Sequence, residues 1–171
     1  GVDLSSLHDR ALDEYFSQAV VGYYSPEISV SDEVATFSFD FGTCLVQDLR
    51  TFTIPFSFSI TKTAILHGFG CWFDAFFDGT TERVVLSTSP KAPGTHWYQS
   101  RLLLRRHIAV NPGQTISGSL AFAVNDRLSY DVAVQVNLDG TSVASSQTVR
   151  LDDQMYHYLS PGQPQVPHAS A

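Results

Sequence analysis

Thr51-Phe52-Thr53-Ile54-Pro55-Phe56-Ser57-Phe58-Ser59-Ile60 sets a large apolar side chain at every second position and a small or polar one between. Side chains that alternate between two faces belong to a β-strand, and one buried face against one wet face gives this pattern. Burying the five large side chains contributes roughly 8 to 15 kcal/mol before chain entropy, at about 1.5 to 3 kcal/mol each. Pro55 has no N–H for a ladder, so the stretch is expected at a sheet edge or at a bulge.

The same period extends outward in both directions. Upstream, Ala35, Phe37, Phe39 and Phe41 share one face with Thr36, Ser38 and Asp40 on the other, which predicts a half-buried strand from Val34. Downstream, Ala64 to Phe77 is apolar on both faces and predicts a central strand covered on both sides. Asp78-Gly79 then signals a hairpin into Glu82–Ser87. Gln99–Arg105 continues as a strand, and Asn111-Pro112-Gly113 turns the chain. Ile116, Gly118, Leu120, Phe122 and Val124 mark one further inward face, and Tyr130, Val132, Val134, Val136 and Leu138 mark the next. Asp139-Gly140 leads into a last strand over Val143–Leu151.

Strands joined in this way indicate an all-β fold, an antiparallel barrel or sandwich. Before them, Leu4, Leu7, Ala11, Leu12 and Tyr15 recur at helical spacing and predict a short N-terminal amphipathic helix, with Asp3 or Ser5 as its cap and Ser6 with Asp9 at capping-box spacing. Such a helix covers an open sheet edge or docks on another subunit. Phe16 to Tyr24 has no clear period and ends at Ser25-Pro26. After Ser160 the composition turns to Pro, Gln, Ser and Ala, which predicts a flexible tail over residues 161 to 171.

A chain of 171 residues with a formal charge of -7 and 12 Phe, 7 Tyr and 2 Trp is long enough for one domain with a proper core. Its basic residues form no long run, so direct nucleic-acid binding is not expected, whereas an acidic surface suits an Arg- or Lys-rich peptide. Cys44 and Cys71 lack CxxC spacing and read as buried free thiols, and no Asn-x-Ser/Thr sequon occurs. A reducing cytosolic or nuclear compartment is the simpler expectation. Gly1-Val2-Asp3 opens without a signal peptide, as an excised piece of a longer chain would. No GxGxxG, phosphate loop or HExxH is present. His67 and Cys71 share a strand face but lie ~13 Å apart along it, too far to share a metal. Ser87, Thr88 and Ser89 precede His96 without the glycine elbow of a hydrolase nucleophile.

The chemistry gathers instead in Pro93-Gly94-Thr95-His96-Trp97-Tyr98-Gln99, where a turn is followed at once by a hydroxyl, an imidazole, an indole and a phenol. Either Trp97 enters the core with His96 and Tyr98 pointing outward, or the rings line a pocket for a cation. No carboxylate of this chain is an obvious partner for His96, which points to a partner outside it. A stand-alone β-sandwich module using Trp97, Tyr98 and Trp72 as a platform for a sugar or peptide is the alternative.

Six segments taken in order carry a resemblance: Gly1-Val2-Asp3-Leu4-Ser5, Asp13-Glu14-Tyr15-Phe16, Trp72-Phe73-Asp74, Leu86-Ser87-Thr88-Ser89-Pro90, Thr95-His96-Trp97-Tyr98-Gln99 and Ser129-Tyr130-Asp131. Together they resemble the C-terminal half of type I protein arginine methyltransferases, in the coactivator-associated branch, as far as about residue 159. The resemblance implies that residues 1–28 are part of a dimerisation arm with Leu4, Leu7 and Phe16 at the interface, and that residues 29–160 are a β-barrel substrate-binding domain. It implies that His96 pairs with an acid of a methyl-transfer domain, that Trp97 walls the arginine pocket, that Thr95 fixes the loop and that Tyr98 follows the branch pattern. Tyr158, within Met155-Tyr156-His157-Tyr158, would touch the peptide substrate, although Asp152 and Asp153 depart from the expected character. S-adenosylmethionine would be bound by a domain upstream of Gly1, together with the glutamates that grip the guanidinium. The implied partners are arginine-containing proteins such as histones and RNA-binding proteins and a second copy of the chain, in the nucleus and cytoplasm.

Overall fold

In the computed structural model, which describes residues 1–156, nine strands form two sheets. They are β1 (Gln18–Gly22), β2 (Thr51–Ser59), β3 (Ala64–Cys71), β4 (Asp74–Asp78), β5 (Arg83–Ser87), β6 (Gln99–Val110), β7 (Thr115–Val124), β8 (Tyr130–Leu138) and β9 (Ala144–Tyr156). Seven of them make one sheet in the order β2-β7-β8-β9-β1-β6-β3, and β4 pairs only with β5. The seven-stranded sheet does not close through hydrogen bonds, yet it curls so far that its two edges meet. Phe56 of β2 and Phe69 of β3 have ring centroids 4.8 Å apart. The inward residues Leu104, Ile108, Val132, Val134, Val136 and Val149 are all but sealed from water. An all-β, barrel-like domain with a short helix is what the alternating pattern predicts.

The stretch that began the reading is β2, and it is an edge strand, where the N–H that Pro55 lacks is tolerated. It runs beside β7 in unbroken register from Thr51 opposite Ala123 to Ser59 opposite Thr115. Three expectations are corrected. Val34–Phe41 is not a strand; its rings pack against β2, with Phe37 and Phe39 at 5.1 and 5.0 Å from Phe52. The alternation reported a face that meets other rings, which requires no backbone ladder.

Ala64–Phe77 is not one central strand. Strand β3 lies at the other edge, paired with β6 alone, and the chain leaves the sheet at Trp72-Phe73 to form the separate hairpin β4–β5. There the apolar residues Phe76, Phe77, Val84 and Val85 stay exposed, so apolar character on both faces did not mean cover on both. Finally, Phe16 to Tyr24, read as without period, contains β1. This strand is sandwiched between β6 and β9, with Ala19 and Val20 buried, and its pairing with β9 is parallel in an otherwise antiparallel sheet. A strand covered on both faces has no alternation to display.

At the N-terminus a single turn, Ser5–Leu7, leads into helix α1 (His8–Phe16). Asp3 accepts from the Ser5 N–H at 2.9 Å, while the Ser6–Asp9 capping box does not form, because the helix starts later, after an uncapped Leu7. Arg105 of β6 binds Asp13 at 2.9 Å and Asp9 at 3.6 Å, and Arg150 of β9 reaches Glu14 at 3.3 Å, which lays α1 over the outer face of the sheet. Leu4 and Leu7 stay exposed.

Candidate functional site

Hairpin β4–β5 is joined to β6 by the loop of residues 88–98, and that loop is held from within. Thr88, 1% exposed, donates its hydroxyl to the Phe73 carbonyl at 2.8 Å and accepts the Phe73 N–H at 3.0 Å. Its own carbonyl accepts from Gln99 Nε2 at 2.8 Å, so one loop residue ties the exit from β3 to the start of β6. Ser87 donates to Asp74 at 2.6 Å and accepts the Ser89 N–H. The serines and threonine read without a catalytic role are thus loop ties.

On this base stands a tight turn. The Tyr98 N–H donates to the Thr95 carbonyl at 3.3 Å, which puts His96 and Trp97 at the two corners. Both corner residues are exposed, Trp97 at 49%, and their rings stack at 4.0 Å with 29° between planes. Phe73 meets the indole edge-on at 6.2 Å. The reading in which Trp97 enters the core is therefore the wrong one of the two. Among the described residues no carboxylate lies within ion-pair distance of His96. Thr95 and Tyr98 are half-buried, and Tyr98 adopts φ +57°, a left-handed conformation that costs a bulky residue energy.

Tyr23 was not singled out in the sequence, and Phe73 only as part of the Trp72-Phe73-Asp74 segment; both support this turn. The Tyr23 hydroxyl donates to the Thr95 carbonyl at 2.5 Å, and its ring packs on Tyr98 at 4.7 Å. The signal was there in the two adjacent phenols that follow β1. Tyr158 lies outside the described residues. Leu4 and Leu7 are exposed far from the turn in sequence, and Phe16 is half-buried, with its ring 6.3 Å from His107. His67 meets His107 at 4.4 Å, and no three His, Cys, Asp or Glu residues among those described could hold a metal together.

Nothing among the described residues fits a sulfonium nucleoside. Among them the α-helix α1 follows no strand, and no glycine-rich strand-to-helix turn occurs. The described residues thus present a curled sheet with an exposed imidazole–indole pair on the loop that leads into β6.

Known proteins share this sequence and fold. The family model of the arginine methyltransferase oligomerization subdomain matches residues 1–143. The histone-arginine methyltransferase CARMER of Drosophila ananassae is 42% identical over 158 residues, covering 92% of this chain and 30% of that protein. The probable histone-arginine methyltransferase CARMER of Drosophila melanogaster is 40% identical over the same length. Among solved structures, the Trypanosoma brucei PRMT1 enzyme-prozyme heterotetrameric complex with AdoHcy superposes with a TM-score of 0.74 at 24% identity, over 88% of this chain and 53% of that one. Arabidopsis thaliana protein arginine methyltransferase 10 gives 0.69 at 19% identity, over 88% and 48%. The chain belongs to the arginine methyltransferase oligomerization subdomain family. It is the C-terminal barrel-like domain of that family and spans less than a third of the length of the curated relatives named here.

Proposed function

We propose that this chain is the substrate-side and dimer-forming domain of a protein arginine methyltransferase. The longer polypeptide transfers methyl groups from S-adenosylmethionine to arginine in proteins such as histones and RNA-binding proteins, giving asymmetric dimethylarginine, in the nucleus and cytoplasm. The cofactor belongs to a part of that polypeptide outside this chain. The observation that carries the reading is the exposed His96–Trp97 stack, with no acid among the described residues within ion-pair distance of the imidazole.

In this reading His96 pairs with a carboxylate of the methyl-transfer domain, Trp97 walls the pocket for the guanidinium, and Thr95 and Tyr98 hold the turn. A cation beside an indole face is stabilised by the ring quadrupole, and the -7 charge of the chain favours the approach of a basic peptide. Tyr158 contacts that peptide. Leu4, Leu7 and Phe16 dock on a second subunit; the exposure of Leu4 and Leu7 supports this, since clustered apolar groups left in water mark contact surfaces.

The test is methyl transfer to a histone substrate. In the longer polypeptide His96→Ala and Trp97→Ala are expected to lower kcat/KM on the order of 10²-fold, as misplacement at a reacting centre does. The 171-residue chain alone is expected to show none, and turnover by it would overturn the proposal.

A further inference from the structure

We propose that Tyr23 is a positioning residue that sets the orientation of the His96–Trp97 pair. The inference rests on the reading of that pair as the wall of the arginine pocket. The Thr95–Tyr98 turn has one backbone closure, the Tyr98 N–H on the Thr95 carbonyl, and at 3.3 Å it is long. The same carbonyl oxygen takes the Tyr23 hydroxyl at 2.5 Å, so the shorter of its two hydrogen bonds comes from outside the turn. Tyr23 also packs its ring on Tyr98 at 4.7 Å, against the residue that carries the turn's backbone strain at φ +57°. One side chain thus grips both ends of a four-residue turn whose two corners are the functional rings.

Three further facts place the phenol there by design of the local packing. The loop approaches so closely that a Cβ on Gly94 would lie 2.9 Å from the Tyr23 oxygen and 3.2 Å from its ring carbon. A side chain at residue 94 would therefore push the Tyr23 hydroxyl out of its present place. Burial, with Tyr98 beside it, raises the Tyr23 phenol above its ordinary range, so it remains a protonated donor at neutral pH. Tyr23 follows directly on β1, which is held between β6 and β9, so the donor is anchored at the end of a paired strand while the rings it steers sit on a loop.

Two variants separate the hydroxyl from the ring. Tyr23→Phe keeps the stack on Tyr98 and removes the donor. Gly94→Ala keeps the phenol and pushes its oxygen away. In the 171-residue chain each is expected to shift the Trp97 indole N–H resonance, assigned with Trp97→Phe, while signals from β7 and β8 stay in place. In the longer polypeptide each is expected to lower kcat/KM for an arginine peptide about tenfold, the worth of one positioning hydrogen bond, with the loss falling in kcat. The double variant is expected to lose little more than either single one, because both act on the same contact. A contact of structural value alone would lower the melting temperature and leave the indole signal and the kcat of the folded protein unchanged, and that result overturns the inference. If His96→Ala and Trp97→Ala leave methyl transfer intact, the site reading fails instead. The indole signal then still decides whether Tyr23 sets the turn.

Discussion

Thr88 is a small side chain with a large structural consequence. Its hydroxyl both gives and receives at Phe73, so Thr88→Val leaves the Phe73 N–H without that partner, while the Phe73 carbonyl keeps the Thr88 N–H at 3.0 Å. A cost of about 1 to 3 kcal/mol in urea unfolding is expected, together with loss of the Phe73–Trp97 contact. Arg101 is the opposite case. Its Nε and Nη2 are enclosed without an acceptor among the described residues, and partial burial lowers the guanidinium below its ordinary range against the opposing pull of Tyr15 and Tyr24. A partly desolvated charge with no carboxylate among the described residues gains little from its surroundings, so Arg101→Met in this chain is expected to leave the urea midpoint unchanged or raise it slightly; a clear drop would show that the guanidinium has a partner worth keeping.

Two neighbouring groups give the fold an alkaline limit. Burial, with Cys71 beside it, pushes the Tyr24 phenol from 10.0 up to about 12, and burial pushes the Cys71 thiol from 9.0 up to about 11. Both are neutral when protonated. Below the unfolded values neither state ionises, and the contribution to stability is fully present. Between about pH 9 and 12 the unfolded chain loses protons that the folded one keeps, so stability falls as pH rises. Melting temperature against pH should decline across that window, and less steeply in Tyr24→Phe. An unchanged slope would put the loss elsewhere.

Helix α1 and hairpin β4–β5 are held less firmly than the curled sheet. The helix is tied through Arg105 and Arg150 to Asp9, Asp13 and Glu14, pairs that are largely exposed and worth about 0 to 1 kcal/mol each. Its amide hydrogens should exchange faster in 1 M salt, where the screening length is about 3 Å, while those of β7 and β8 hold. The hairpin pairs with no third strand and keeps Phe76 and Val85 in water, and a lone two-stranded unit is marginal. Its amides should exchange before those of β6, into which it leads. The helix was legible from its 3.6-residue stripe and the hairpin from Asp78-Gly79. The break at Trp72-Phe73 was not, because it depends on Thr88, fifteen residues away, and no local pattern registers a long-range hydrogen bond.

The curled sheet as a whole depends on close approach between neighbours. A Cβ at Gly118 of β7 would lie 1.9 Å from the Gln135 carbonyl oxygen and 2.8 Å from Phe56. Gly118→Ala must therefore move backbone, with an expected loss of about 1 to 3 kcal/mol or more, whereas Leu104→Ala, which only empties space at 0% exposure, should cost about 2 to 5 kcal/mol. Equilibrium unfolding of the two variants checks both. The alternation over Thr51–Ile60 and the runs through β7 and β8 determined the class of fold by themselves, since a period of two is a property of neighbouring residues. The Thr-His-Trp triplet likewise drew attention to the candidate site, and that its rings stand exposed was decided by the fold. Which strands stand at the edges, where β1 enters in parallel, that Val34–Phe41 lends rings without a ladder, and that Tyr23 reaches Thr95 were decided only in three dimensions. Each depends on contact between segments tens of residues apart, and the free energy of such a contact is not written in either segment alone.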